Sequence, residues 1–201
     1  MENESTRILA EIIKNRRTRK PAQFSKKAPP RALINYLIDI SRHAPNHHRT
    51  EPARFYHLSK ERIKQIGQLF GEIIAKNSKD PILAEKGKRK TKEWGDAPGL
   101  IIITCHTDIN SALVRKNPTV PDEDYATCSC ICQNLLLLLE SEHIASKWST
   151  GPVWEHPKFD EVVGIKKPEN ERIVGLIFYG YSEQVVGSRK LLNIHEHLVE
   201  Y

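Results

Sequence analysis

Five consecutive leucines at positions 135–139 constrain this chain more than any other feature. Leucine lacks the β-branching that is typical of buried strands, and neighbours such as Asn134 and Glu140 are compatible with a helix. A helix that is apolar around nearly its whole circumference has to be covered on every side. The run therefore predicts a core helix, enclosed by the rest of the chain or by a partner subunit.

The residues after this helix, 143–147, are predicted to form a short, turn-like connection, which leads into residues 148–151. Trp148, Ser149, Thr150 and Gly151 supply an aromatic ring, two hydroxyl groups and a flexible backbone there. Such a segment is suited to line one side of a planar ligand, because functional residues often lie in loops that a rigid scaffold holds. A buried tryptophan beside a tight turn is an alternative of about equal weight at this stage.

Length and composition are typical of one globular domain. The chain has 201 residues, of which 39% are hydrophobic and 28% are charged, and we expect a single domain over residues 1–201. The longest apolar runs are far shorter than the ~20 residues that span a bilayer, and the acidic N-terminus lacks the pattern of a secretory signal. The sequence therefore predicts a cytoplasmic protein without a membrane segment.

Periodicity and turn signals divide the rest of the chain into helices and strands. Helices are predicted at residues 5–15 (capped by Ser5 or Thr6), 31–43, 60–77 (capped by Ser59) and 157–163, strands at 54–58, 100–105 and 173–181, and a loop at 107–121. The run 100–105 has no polar alternation, which predicts a central strand that is buried on both faces. Because helices outnumber strands, we expect an α+β fold in which helices surround a small sheet.

Cysteine and histidine spacing does not support a metal site. Three cysteines alternate within the predicted helix, which is not the spacing of a zinc knuckle or a CxxC pair: Cys128, Cys130 and Cys132. We interpret them as small buried hydrophobes in a reducing compartment. The adjacent histidines His47 and His48, and the pair His195 and His197, have no companion carboxylate motif at metal-site spacing. The sequence therefore predicts no metal.

Positive charge is concentrated in two clusters, residues 16–20 and 86–92, and the formal net charge is +6. A basic chain attracts polyanions, but neither cluster is interleaved with aromatic residues and no nucleic-acid motif is present, so we expect no nucleic-acid partner. The second cluster is interpreted as a solvated surface. The first follows an amphipathic helix and precedes Pro21, and this ordered setting predicts that its guanidinium groups clamp a phosphate.

Motifs along most of the chain resemble the nitroreductase family of FMN-dependent oxidoreductases, in particular its small single-domain bacterial members. The similar segments are residues 16–20, 44–46, 96–105, 147–151 and 173–181, in the order and spacing of that family. The resemblance implies an α+β, nitroreductase-like fold with a small antiparallel or mixed sheet, and a homodimer that binds FMN at its interface. It also implies hydride transfer from NAD(P)H through the flavin to a nitroaromatic compound, a quinone or a related small-molecule acceptor. No protein nucleophile is needed, because the cofactor carries the chemistry.

The resemblance also implies which residues bind FMN: Arg16, Arg17, Thr18, Lys20, His43, Asn46, His47, Trp148, Ser149, Thr150 and Arg189. The residues in 16–20 contact the phosphate, the ribityl chain and the pyrimidine edge, and Lys20 is the candidate for a cation that favours the reduced flavin. Those in 43–47 belong to a loop that approaches the cofactor. The segment 148–150 runs along the ring or phosphate and faces the N-terminal cluster of the other subunit, while Arg189 or Lys190 completes the neutralisation of the phosphate.

Two tripeptides depart from the pattern of the family. Glu51 and Ala53 stand at the ends of one that is commonly Gln-Pro-Trp, and His143 and Ala145 at the ends of one that is commonly Gly-Leu-Gly. Glycine permits close approach of the backbone, so its replacement predicts an altered or narrowed pocket. Two other functions stay open at this point: a non-catalytic flavin carrier or sensor, and a basic nucleic-acid-binding module that uses the two charged clusters.

Overall fold

A four-stranded antiparallel sheet forms the centre of the molecule. The computed structural model describes residues 3–76, 80–187 and 189–200. The strands are β1 (Ala53–His57), β2 (Gly99–His106), β3 (Ala145–Ser149) and β4 (Glu171–Gly180). Their order is β1-β2-β4-β3, and all three pairings are antiparallel. Strands β1 and β3 are therefore the two edges of the sheet.

Helices cover the sheet on both faces. They are α1 (Glu4–Asn15), α2 (Arg31–Ser41), α3 (Lys60–Ala75), α4 (Pro81–Gly95), α5 (Ala112–Lys116), α6 (Val120–Ser141) and α7 (Phe159–Val163). Short 3-10 turns occupy Pro21–Gln23, Pro152–Glu155, Pro168–Asn170 and Ile194–Glu196. The predicted α+β architecture with a small helix-wrapped sheet is confirmed.

Strand β2 has the central position that its apolar composition predicts. It pairs with β1 on one side and with β4 on the other, and its residues from Gly99 to Cys105 are all buried. Side chains alternate between the faces, so Ile101 and Ile103 point to one core and Leu100 and Ile102 to the other. A strand that contributes to two cores needs apolar residues at every position, which explains the missing polar alternation.

Two apolar clusters lie on opposite faces of the sheet. The first joins α2 and α6 to the sheet through residues such as Ile34, Leu37 and Leu135. The second joins α3, α4 and α7 to the other face, with Ile66 and Phe178 fully buried in it. Helix α6 therefore spans one face of the sheet from end to end.

The leucine run of α6 is enclosed on most of its circumference. Leu135 and Leu139 are fully buried and Leu136 is 4% exposed, whereas Leu137 and Leu138 stay half-buried. The same helix buries Cys128 and Cys132 and exposes Cys130, as the positions of these residues on a helix predict. This chain alone thus covers one flank of its core helix only partly.

Three local predictions were wrong. Helix α1 is capped by Asn3, whose side chain accepts a hydrogen bond from the amide of Ser5, because the helix begins one residue earlier than predicted. The predicted loop 107–121 contains the short helix α5, which Ser111 caps, and the start of α6. The predicted turn after α6 is strand β3, since the backbone of its residues pairs with β4. Among the described helices, none combines the length and apolarity required to cross a bilayer.

Candidate functional site

The N-terminal basic segment, residues 16–20, lies along the free edge of strand β3. Thr18 forms an isolated parallel bridge with Ser146, and the amide of Arg19 donates a 3.0 Å hydrogen bond to the carbonyl oxygen of Ser146. The segment thereby continues the sheet beyond its last strand. This backbone pairing explains why a short, highly charged stretch has a defined position beside the core, as its sequence setting predicted.

The cations of the basic segment have different partners. The charge of Arg19 is neutralised by Glu140 on α6, because Nη1 of Arg19 lies 3.6 Å from Oε2 of Glu140. Both side chains are less than one fifth exposed. Arg17 donates to backbone carbonyls, including that of Gly187 at 3.2 Å. Within the described residues, Arg16, Arg17 and Lys20 form no ion pair. The segment therefore carries positive charge that no carboxylate of the described chain offsets.

The chain after β4 returns along this basic segment. The Nε of Arg19 donates to the carbonyl oxygen of Gln184 at 3.4 Å, and the side-chain amide of Gln23 donates to Oε1 of Gln184 at 2.5 Å. The carbonyl of Gly187 accepts from Arg17. Arg189, which is exposed, follows Gly187 by two positions. The C-terminal arginine is thus brought towards the N-terminal cluster by the path of the backbone.

Trp148 points into the protein. Its Nε1–H donates to the carbonyl oxygen of Val174 at 3.2 Å, and its ring lies over Gly175, where an added Cβ would stand 2.1 Å from Nε1. Ser149 is 6% exposed and Thr150 is exposed. The indole is therefore a partly buried side chain of strand β3, Ser149 is buried beside it, and Thr150 is the first residue after it that reaches the surface.

Lys147 is a cation of this site that the sequence did not single out. Its side chain is half-buried, and its Nζ lies 5.9 Å from the ring centroid of Trp94. Burial lowers the pKa of Lys147, and the positive charges of Lys90 and Lys20 lower it further, although Glu93 acts in the opposite direction. Strand pairing between Thr18 and Ser146 brings Lys20 and Lys147 close to each other. A nearby anion would stabilise both ammonium groups.

The loop between α2 and β1, residues 42–52, is fastened to the start of α6. Asn46 Oδ1 accepts a hydrogen bond from the amide of Thr50 and lies 3.2 Å from its hydroxyl oxygen, and that hydroxyl donates to Oδ1 of Asp124 at 2.5 Å. Thr107 donates to Oδ2 of Asp124 at 2.6 Å. Asp124 is only 4% exposed, so both of its oxygens are satisfied inside the protein. This carboxylate fixes the loop that carries Asn46.

Two of the departures from the family pattern have left-handed backbone conformations. Glu51 has φ +48° and His143 has φ +55°, a region that side chains other than glycine rarely adopt. His143 follows the end of α6, where glycine is the usual residue for such a conformation. The chain thus keeps the backbone turn that glycine would permit, with a side chain added at that point.

The predicted flavin residues form two groups along α6. Arg16, Arg17, Thr18 and Lys20 lie near its C-terminal end with the β3 segment. The loop that carries His43, Asn46 and His47 runs along the helix from Asn134, which donates to the carbonyl oxygen of Ser41, to Glu123, which lies beside His47. Glu123 and Glu140, which contact the loop and the basic segment respectively, are about 26 Å apart along the helix axis at about 1.5 Å per residue. The basic segment contacts β3 of the same chain through Thr18 and Ser146. The family resemblance implied a contact between the basic segment of one subunit and residues 148–150 of the other.

The fold and the matched sequence assign this chain to a known class. The chain belongs to the nitroreductase family, whose model matches residues 13–181. A relative from Bacillus subtilis (strain 168), named "Putative NAD(P)H nitroreductase YfhC", is 28% identical over 193 residues, which cover 96% of this chain and 94% of that protein.

Solved structures have the same fold. A nitroreductase-like family protein from Bacillus cereus superposes with a TM-score of 0.78 at 24% identity, over 100% of this chain and 98% of that one. A nitroreductase with bound FMN from Bacteroides fragilis superposes with a TM-score of 0.71 at 21% identity, over 100% of both chains. The nitroreductase-like fold that the sequence resemblance implied is thereby confirmed.

Proposed function

We propose that this protein is an FMN-dependent oxidoreductase, which passes hydride from NAD(P)H to a small acceptor such as a nitroaromatic compound or a quinone. The observation that carries this proposal is the uncompensated positive charge of Arg16, Arg17 and Lys20, held beside β3 by the pairing of Thr18 with Ser146. Membership of the nitroreductase family, and the FMN bound in the related structure from Bacteroides fragilis, support it. FMN supplies the hydride-transfer chemistry when it is bound.

The phosphate of FMN suits the basic segment. A phosphate monoester carries nearly two negative charges at neutral pH and accepts charge-assisted hydrogen bonds from arginine. We infer that Arg16 and Arg17 bind it together with the hydroxyl of Thr18, which is exposed. Arg189, close in sequence to the carbonyl that Arg17 already contacts, completes the neutralisation.

Lys20 is proposed to lie at the pyrimidine edge of the flavin, with Lys147 behind it. Negative charge develops at that edge on reduction, so a fixed cation there favours the reduced state. The lowered pKa of Lys147 reflects burial and the neighbouring charge of Lys20, and a bound anion would offset both effects. The exposed Thr150 and the buried Ser149 before it, which follow the partly buried Trp148, are the proposed contacts to the rest of the cofactor.

We propose that the site is completed in a homodimer of single-domain chains, each spanning residues 1–201. Within one chain His47 lies beside Glu123, about 26 Å along α6 from Glu140, which holds the basic segment, so we infer that a second copy supplies this part of the site. Exposed apolar side chains support such an interface. They include those of α1 and of the C-terminal tail, each at least 49% exposed: Ile8, Leu9, Ile13, Leu191, Leu192 and Leu198.

The proposal is tested with the full-length chain after purification. We expect visible flavin absorbance, either as isolated or after incubation with FMN, and oxidation of NADH or NADPH in the presence of menadione or a nitrobenzene derivative. Light scattering should give twice the mass of one chain. A colourless protein that takes up no FMN would refute the proposal, and FMN binding without any NAD(P)H oxidation would favour a flavin carrier or sensor instead.

A further inference from the structure

Two adjacent histidines and one glutamate converge where the α2–β1 loop meets helix α6. His47 and His48 come from the loop, and Glu123 comes from the first turn of α6. Nδ1 of His47 lies 3.2 Å and Nε2 of His48 lies 3.6 Å from Oε2 of Glu123. One donor atom from each of the three residues lies within 4.8 Å of the others. Glu123 is 75 or more positions from both histidines in the sequence, so the cluster exists only in the folded chain.

The glutamate oxygen at the centre of this cluster is not satisfied by hydrogen bonds. Oε2 of Glu123 is buried and accepts no hydrogen bond within the described chain, although both imidazole nitrogens are near it. Ligand atoms around a tetrahedral cation with bonds of about 2.0 Å are about 3.3 Å apart. The two measured nitrogen–oxygen separations are close to that edge length. The three donor atoms are thus close enough to share one ion once an imidazole ring rotates towards it.

Neighbouring contacts orient the carboxylate of Glu123 and anchor the loop that carries the two histidines. Oε1 of Glu123 accepts a 3.0 Å hydrogen bond from the hydroxyl of Thr119, which fixes the orientation of the carboxylate. The rings of His47 and His48 are stacked, with centroids 4.3 Å apart and planes 7° apart. Because an imidazole binds a metal in its own ring plane, one of the two rings has to rotate out of this stack when the ion binds. The loop itself is anchored by Asp124, the residue after Glu123. Such outer contacts are what orient the ligands of protein metal sites.

We propose that His47, His48 and Glu123 form a binding site for a divalent first-row transition metal, with Zn²⁺ as the preferred biological ion. Two imidazoles and one carboxylate are a ligand set of zinc sites that keep one position open for water. Imidazole nitrogen disfavours Mg²⁺ and Ca²⁺, which take oxygen ligands. The bound ion links the loop to α6 and assigns His47 to the metal, so His43 and Asn46 are the residues of this loop that remain for the proposed flavin site.

The test is a Zn²⁺ titration of the full-length, tag-free protein after treatment with chelator and desalting. We expect one Zn²⁺ per chain, displaced by a competing chromophoric chelator, and a rise in the melting temperature with added Zn²⁺, because the ion binds the folded state. The variants E123Q and H48A should each weaken binding by about 10-fold or more. Their melting temperatures without metal should match that of the unaltered protein.

Two control variants distinguish this site from other zinc ligands. The double variant H195A/H197A removes the C-terminal histidine pair, and C130S removes the exposed cysteine of α6. Both should bind Zn²⁺ as the unaltered protein does. The proposal is overturned if no Zn²⁺ binds at 100-fold excess over protein, or if E123Q and H48A bind normally while either control loses the ion.

Discussion

The backbone amide of Arg19 donates a 3.0 Å hydrogen bond to the carbonyl oxygen of Ser146. Together with the Thr18–Ser146 bridge, it makes the basic segment an extension of the sheet rather than a tail. The arginine side chain then reaches Glu140 on α6, so one residue links the segment to two elements of the core. The neighbouring cations have no such partner within the described residues and are left to bind a ligand.

Replacing Arg16 by alanine should weaken FMN binding without unfolding the protein. Arg16 makes no ion pair within the described chain, so the loss is that of one charge-assisted phosphate contact, about 1.5–3 kcal/mol. FMN affinity is measured by quenching of flavin fluorescence on titration. The control is R7A, which removes an exposed arginine from α1. Equal affinities of R16A and the unaltered protein would mean that the phosphate lies elsewhere.

Replacing Gly175 by alanine should destabilise the protein. An added Cβ would lie 2.1 Å from Nε1 and 2.6 Å from Cδ1 of Trp148, so the indole has to shift and weaken its bond to Val174. Overpacking of this kind costs about 1–3 kcal/mol. Urea denaturation provides the measurement. The matched control G187A, where nothing lies within 4 Å of the added atom, should stay within about 0.5 kcal/mol of the unaltered protein.

Acidification should destabilise the protein through His57. Burial, and then the charge of Arg31, lowers the pKa of His57 from 6.5 to about 4. Its Nε2 lies 2.6 Å from the hydroxyl of Tyr179, and its Nδ1 lies 3.0 Å from Oδ1 of Asn35, which suits a neutral ring that accepts at one nitrogen and donates at the other. The unfolded chain therefore binds a proton that the folded chain does not, between these two pKa values.

The contribution of the neutral His57 to the free energy of unfolding is therefore complete above pH 6.5 and is lost as the pH decreases towards 4. After allowance for partial exposure of the ring, the loss is about 1–2 kcal/mol. Urea denaturation at pH 7.5, 6 and 5 measures it. The variant H57Q should show a smaller loss over the same interval, and an identical pH profile would assign the effect to other groups.

Replacing Asp124 by alanine should release the α2–β1 loop. The hydroxyls of Thr50 and Thr107 lose their shared acceptor, and an unsatisfied buried donor costs about 1–3 kcal/mol. Hydrogen exchange should then be faster in residues 43–51 than elsewhere. In D122A, which removes a carboxylate that is 89% exposed two positions earlier, exchange and stability should be unaltered.

The sequence predicted the elements whose patterns are local. The apolar run of β2, the leucine-rich α6 and the cap of α3 by Ser59 each follow from neighbouring residues, and each is confirmed. Strand β3 was missed because Ala145–Ser149 contains serine and lysine, whose extended conformation is imposed by pairing with β4. Tertiary contacts outweighed local propensity at that position.

The parts of the candidate site that the sequence did not reveal depend on long-range contacts. Glu123 contacts His47 and His48, which precede it by 75 or more positions. Asp124 accepts hydrogen bonds from Thr50 and Thr107, which lie in two separate segments of the chain. No local sequence motif predicts that residues so far apart in the sequence lie in contact. Lys147 was overlooked for a related reason, since its half-buried state and lowered pKa arise from α4 and the basic segment, which pack against it only after folding.

The length of helix α6 fixes the distance between Glu123, which contacts the α2–β1 loop, and Glu140, which contacts the basic segment. Deleting four residues from its middle would shorten that interval by about 6 Å and rotate one end by about 40° relative to the other. Both groups would lose their mutual alignment even if each stayed intact. Insertions and deletions that preserve the fold are therefore expected in connections such as residues 107–111. The length of this one helix sets the geometry of the assembled protein.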